Sequence, residues 1–124
     1  MNRFFTVQEV NALIPQLRVL LTQVRDEREK MLSLSPAIAG AREGYLFDWG
    51  SPSGPEYVQI LDGYYRIFRE IENLGVLVKD FEKGLCDFPH LRDGRIVCLC
   101  WKMDEEEVQW WHEQDAGFSG RQPI

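Results

Sequence analysis

The chain has 124 residues and a formal net charge of −6, with 14 Lys and Arg against 20 Asp and Glu. Single domains cluster at about 100–150 residues, so we expect residues 1–124 to form one domain. The acidic balance argues against general binding to nucleic acid, which requires clustered cations. The sequence shows neither a membrane-length apolar run nor a secretion signal. Its three cysteines suit a reducing compartment, and we therefore expect a cytoplasmic protein.

The first element is a predicted helix over about residues 7–33. Thr6 and Glu9 form a helix-start signature, because the hydroxyl and the carboxylate can each accept from the other residue's backbone N–H. Apolar residues then recur at heptad spacing, which is typical of a helix with one buried face. The main row is Val10, Leu17, Val24 and Met31.

A second helix is predicted over about residues 57–83, after a long folded loop over about 34–56. The loop prediction rests on repeated Gly and Pro, and its aromatic residues indicate that it packs on the core. Gly84 is the predicted stop of the second helix. Two heptad-bearing helices of similar length indicate an antiparallel hairpin. The second heptad row is Tyr57, Tyr64, Ile71 and Val78.

The C-terminal segment, about 85–124, is predicted to be rich in β-structure because its apolar period falls to about two. Arg95–Trp101 is the clearest strand and Val108–His112 the second, joined through a loop at Met103–Glu107. Leu85–Phe88 is a short third strand. The predicted fold class is therefore α+β, with a long antiparallel two-helix hairpin packed on a small antiparallel β-hairpin or three-stranded sheet.

A metal site is one hypothesis for this segment. Cys98 and Cys100 alternate onto one face of their strand. If the hairpin is centred on Glu105, Cys98 lies opposite His112 and Cys100 opposite Trp110. Two thiolates and an imidazole then share a face, and zinc or iron accepts that set with one further ligand. A register shift of one residue would move His112 to the other face.

Carboxylates next to the histidine widen the candidate set. The predicted metal ligands are His112, Glu113, Asp115, Cys98 and Cys100. The alternative is that the cysteines are small buried hydrophobic residues and that the histidine is simply hydrogen-bonded. A Cys–His nucleophile and base, oriented by Asp87 or Asp115, is disfavoured because a reactive thiolate needs access and a lowered pKa.

Anion binding is a further hypothesis, centred on Arg92, Arg95 and Arg121. Arg presents a planar fork of donors that matches carboxylate or phosphate. Asp87 belongs to this candidate set as a neighbouring carboxylate, and it would pair with the arginines if they serve a structural role instead.

Two segments resemble a known family. The first is Phe5-Thr6 with Glu9-Val10-Asn11-Ala12-Leu13-Ile14-Pro15. The second runs through Val78-Lys79-Asp80, Gly84-Leu85-Cys86-Asp87-Phe88-Pro89, Arg92-Asp93-Gly94-Arg95, Leu99-Cys100-Trp101, Trp111-His112-Glu113, Asp115-Ala116-Gly117-Phe118 and Gly120-Arg121-Gln122-Pro123. Together they resemble an uncharacterised bacterial family, domain of unknown function 2203, over nearly the whole chain. The resemblance implies a small cytosolic bacterial protein and supplies no activity.

These observations predict an interaction or scaffold module that self-associates as a homodimer, through its helices or its aromatic-rich sheet. An enzymatic role is not favoured, and no membrane partner is expected. One alternative is a small metal-binding protein or metalloenzyme centred on His112, with a divalent ion such as zinc as its cofactor. The other is binding of an anionic small molecule at Arg92, Arg95 and Arg121.

Overall fold

The computed structural model describes residues 3–44 and 53–124, and the side chains of residues 3–33 and 58–124. Within these ranges two helices precede a sheet of five strands, which confirms the α+β class. The elements are α1 Val7–Gly44, α2 Ser53–Asn73, β1 Leu77–Asp80, β2 Leu85–Arg92, β3 Arg95–Lys102, β4 Trp110–Glu113 and β5 Gln122–Pro123. Across the described residues, neither helix combines the length and apolarity that crossing a membrane would require.

Helix α1 starts where the sequence predicts. The Thr6 N–H donates to Glu9 Oε1 at 2.9 Å, and the Glu9 N–H donates to Thr6 Oγ1 at 3.1 Å. The helix then continues to Gly44, so the predicted end at residue 33 is wrong. Residues 34–44 are rich in Ala and other strong helix formers, which outweigh the breakers that suggested a loop. The predicted loop over 34–56 is helical at both ends, and residues 45–52 lie outside the described residues.

Helix α2 ends at Asn73, so its predicted extension to residue 83 is also wrong. Gly75 adopts a φ of 87°, and its N–H donates to the Glu72 carbonyl at 2.9 Å. A left-handed residue just past the last turn is a common helix terminator. Residues Leu77–Asp80 instead form β1, so Gly84 lies in the β1–β2 turn and does not end a helix.

The relative direction of the helices follows from two close approaches. Gly63 of α2 lies against Glu27 of α1, whereas Gly75, just beyond α2, lies against Phe5, just before α1. The second helix therefore runs antiparallel to the first, as the heptad pattern predicts.

The sheet is antiparallel throughout, in the order β1-β2-β3-β4-β5. The predicted two or three strands were too few. The prediction missed β1 because Val78 continues the heptad spacing of α2. It missed β5 because that strand is only two residues long. The register between β3 and β4 places Cys98 opposite His112 and Cys100 opposite Trp110, which confirms the predicted hairpin alignment.

The two faces of the sheet differ in composition. The inner face packs on the helices, and its buried side chains join one apolar core with those of α1. The core members from α1 and the sheet are Val10, Ile14, Leu17, Leu20, Leu21, Val24, Cys86, Phe88, Val97, Leu99, Trp101 and Trp111. Residues of opposite parity lie on the outer face, away from the helices. This outer face contains the polar side chains described next.

Candidate functional site

Four chemically active side chains share the outer face of three adjacent strands. Asp87 of β2 pairs directly with Cys100 of β3, and Cys98 of β3 pairs with His112 of β4. Directly paired residues of antiparallel strands point to the same face. All four are buried, and the exposed fraction is only 4% for Asp87 and 1% for His112.

Three of these side chains form a compact group of donors, the Asp87–Cys100–His112 cluster. One ligand atom from each lies within 4.8 Å of the others. The closest contact joins His112 Nε2 to Asp87 Oδ1 at 3.0 Å. The three atoms are an oxygen, a sulfur and a nitrogen, which differ in softness as metal ligands.

The hydrogen-bond partners of His112 identify which ring nitrogen carries a proton. His112 Nδ1 lies 2.6 Å from the backbone carbonyl of Glu113, and a carbonyl only accepts, so Nδ1 carries a proton. At the other side of the ring, Nε2 faces a carboxylate oxygen. Two lone pairs would repel at 3.0 Å, so a proton lies between Nε2 and Oδ1. The contact between Asp87 and His112 is therefore a buried hydrogen bond that joins the two side chains.

The thiols of the outer face are not poised as nucleophiles. Burial, with Asp87 as the second cause, raises the pKa of Cys100 to about 11, although Arg121 partly opposes the shift. Burial also raises the pKa of Cys98. Both side chains are therefore protonated thiols at neutral pH in the metal-free protein. The geometry disfavours a Cys–His nucleophile, which needs an accessible thiolate.

The C-terminal tail contributes Arg121 to the border of the cluster. Its Nη2 donates to Glu105 Oε1 at 2.6 Å and to the Cys100 carbonyl at 3.2 Å. The guanidinium also lies 5.4 Å from the Trp110 ring centroid and 4.6 Å from that of Phe118. Because Glu105 neutralises the charge of Arg121, this arginine adds no net positive charge at the border of the cluster.

The other predicted metal ligands lie elsewhere. Glu113 pairs with Arg95 at 2.6 Å, and strand parity places it on the inner face. Asp115 is exposed beyond the end of β4. Cys98 shares the outer face but does not belong to the group of three donors. The structure thus brings together Cys100 and His112 from the predicted set.

Asp87 completes the group of three donors, although the sequence analysis places it in the anion-binding set and not among the metal ligands. The sequence does contain a signal that could have placed Asp87 opposite Cys100, namely the Asp93–Gly94 pair that favours a two-residue hairpin turn. Asp93 and Gly94 both have positive φ, 52° and 77°, as a two-residue type I′ hairpin turn requires. Counting back from the paired Arg92 and Arg95 places Asp87 opposite Cys100.

The predicted anion-binding residues do not converge. Arg92 and Arg95 lie over the Trp111 ring, 4.5 and 6.0 Å from its centroid, at the end of the inner face. Arg121 lies on the outer face with Glu105. Asp87 is bonded to His112.

The fold and the cluster together define a small α+β protein whose sheet buries an Asp–Cys–His group on the side away from its helices. The chain belongs to the uncharacterized conserved protein family DUF2203, whose family profile matches residues 3–124. Searches of curated proteins and of solved structures each give no match.

Proposed function

We propose that the protein binds a divalent transition-metal ion, zinc foremost, through Asp87, Cys100 and His112. The observation that carries this proposal is the convergence of three buried donors within 4.8 Å. Tetrahedral ligands about 2.0–2.3 Å from zinc lie about 3.3–3.8 Å from one another. The Nε2–Oδ1 distance of 3.0 Å is slightly shorter than this range, and all three donor atoms lie within 4.8 Å of one another, so small shifts would accommodate the ion.

The orientation of His112 supports this proposal. Metal-binding histidines usually donate their second ring N–H to a carbonyl or carboxylate, which fixes the ring and its tautomer. The 2.6 Å contact from Nδ1 to the Glu113 carbonyl has this form and directs Nε2 into the cluster.

Charge balance supports it as well. A thiolate and a carboxylate together neutralise a dication, so the buried site carries no net charge and its desolvation cost falls. Cys98 lies opposite His112 on the same face and is the candidate for a fourth ligand, which as a thiolate would leave the site with one net negative charge. Because the cluster is buried, we propose a structural metal rather than a catalytic one, which would need an open position.

Titration of metal-free protein with zinc, and with cobalt as a spectroscopic probe, tests this function. We expect one ion per chain. Cys100→Ala and His112→Gln should each weaken zinc binding by at least about 100-fold, because each removes a direct ligand.

Matched controls use the same residue types outside the cluster. Cys86→Ala removes a buried thiol of the inner face, and His90→Gln removes a histidine whose Nδ1 lies 2.6 Å from the Phe5 carbonyl. Both should bind zinc like the wild type. Unchanged affinity in Cys100→Ala would exclude this site.

We also propose that the outer face associates with a second copy of the chain. Large apolar side chains stay exposed around the cluster, including the directly paired Leu91 and Ile96, at 53% and 37%. Leu77 and Phe118 extend this exposed surface. Apolar surface of this kind is enriched at sites of protein association.

Sedimentation equilibrium tests this second proposal. We expect a dimer that strengthens with salt, because each copy carries a net charge of −6. Ile96→Lys should give monomers, whereas Val19→Lys, an exposed apolar position on α1, should stay dimeric. A monomeric wild type would rule this association out.

A further inference from the structure

A cleft of about 460 Å³ lies where α1 meets the turns that flank β2 and β3. Four of its lining side chains are cations, and one is a carboxylate. This basic cleft is lined by Arg18, Arg25, Lys83, Lys102, Met103 and Asp104. The cleft shares no residue with the Asp87–Cys100–His112 cluster.

The two arginines of the cleft are held by backbone carbonyls. Arg18 donates from Nη1 to the Met103 carbonyl at 2.5 Å and from Nη2 to the Glu105 carbonyl at 2.7 Å. Arg25 donates from Nε and Nη2 to the carbonyls of Phe81 and Glu82. A carbonyl carries no formal charge. The guanidinium groups are therefore positioned without being neutralised.

Ion pairing is common among the described arginines outside this cleft, although Arg69 and Arg92 also form no pair. Carboxylates lie within 4.0 Å of five other arginines, which are Arg3, Arg28, Arg66, Arg95 and Arg121. Within the same described ranges, Arg18, Arg25 and Lys83 form no such pair, and Lys102 pairs only with the exposed Asp104.

Two carboxylates on the bordering turns pair with arginines outside the cleft, whereas Glu106 and Glu107 line a neighbouring cleft with Arg18 and Asp104. Glu82 pairs with Arg28, and Glu105 pairs with Arg121. Asp80 accepts the backbone N–H of Lys83 at 3.0 Å. The lining of the basic cleft itself carries four cations against one carboxylate, in a protein whose overall charge is −6.

We propose that the basic cleft binds a small phosphorylated molecule. Guanidinium and ammonium groups are the usual partners of phosphate oxygens. The volume lies within the range of about 300–1,000 Å³ found for small-molecule pockets. Because carbonyl contacts already hold both arginines, less conformational entropy is lost on binding. The acidic surface elsewhere disfavours a long polyanion such as nucleic acid.

Titration with inorganic pyrophosphate at constant ionic strength tests this proposal. We expect 1:1 binding with a Kd at or below about 1 mM, and amide shifts centred on Lys83, Gly84 and Met103. The exposed Lys83 tolerates substitution, and Lys83→Glu should raise the Kd at least about tenfold.

Lys79→Glu is the matched control, since Lys79 is an exposed lysine outside the cleft. It should leave the Kd unchanged. Equal weakening by both variants would reduce the effect to net charge and overturn the proposal. Absence of pyrophosphate-induced shifts at these amides would also overturn it, as would displacement of pyrophosphate by a single-stranded oligonucleotide with higher affinity.

Discussion

Asp87→Ala should lower the free energy of unfolding by about 3 kcal/mol, because it leaves the buried imidazole of His112 with an unpaired ring nitrogen. Both partners are almost fully buried, so bulk water does not compete for the contact in the folded protein. Urea unfolding in the presence of a chelator measures this effect without any contribution from bound metal.

Asp87→Asn separates the hydrogen bond from the charge. The amide N–H can donate to Nε2 of a neutral imidazole, so the contact at 3.0 Å survives. We expect a loss of about 1 kcal/mol or less in chelator, because the hydrogen bond is kept. Zinc binding should nevertheless be abolished, because a carboxylate ligand is gone. Equal destabilisation by Ala and Asn would mean that the ionic charge, and not the hydrogen bond, stabilises the pair.

Gly84→Ala should lower the free energy of unfolding by about 3 kcal/mol, through two costs that add. The φ of 65° lies in the left-handed region, which strains any residue with a Cβ. In addition, a Cβ at this position would lie 2.5 Å from Met103 Cβ, so the β1–β2 turn would have to move away from the end of β3. Thermal or urea unfolding measures the loss.

Gly94→Ala provides the comparison. Its φ is 77°, but a Cβ there would meet nothing within 4 Å. Only backbone strain remains, and we expect about 1 kcal/mol. If the two variants lose the same stability, the close packing between Gly84 and Met103 has no energetic consequence.

Sequence reasoning located the start of α1 because capping is a local interaction between residues three apart. It failed at the end of α2 because Leu74, Val78 and Phe81 keep a helical spacing after the helix has ended. Only the positive φ of Gly75 marks the change, and backbone conformation is not visible in an apolar pattern.

The candidate site was predicted in part for a similar reason. The alignment of Cys98 with His112 follows from one hairpin, so counting residues was enough. Asp87 required the register of a second hairpin, set by the Asp93–Gly94 turn. The distances among the donor atoms of Asp87, Cys100 and His112 depend on the β2–β3 and β3–β4 registers together. These distances and the burial of the outer face are visible only in the folded structure.

The bond between Asp87 and His112 also has a mechanical consequence. It joins β2 to β4 across the intervening β3, whereas backbone hydrogen bonds join only adjacent strands. Strand β4 has four residues, so its backbone ladder alone would fray readily. Separating β4 from β3 must also break the hydrogen bond from His112 to Asp87 of β2. We therefore expect β4 to open only together with β2 and β3. Amide hydrogens of β4 should therefore exchange at nearly the same slow rate as those of β3.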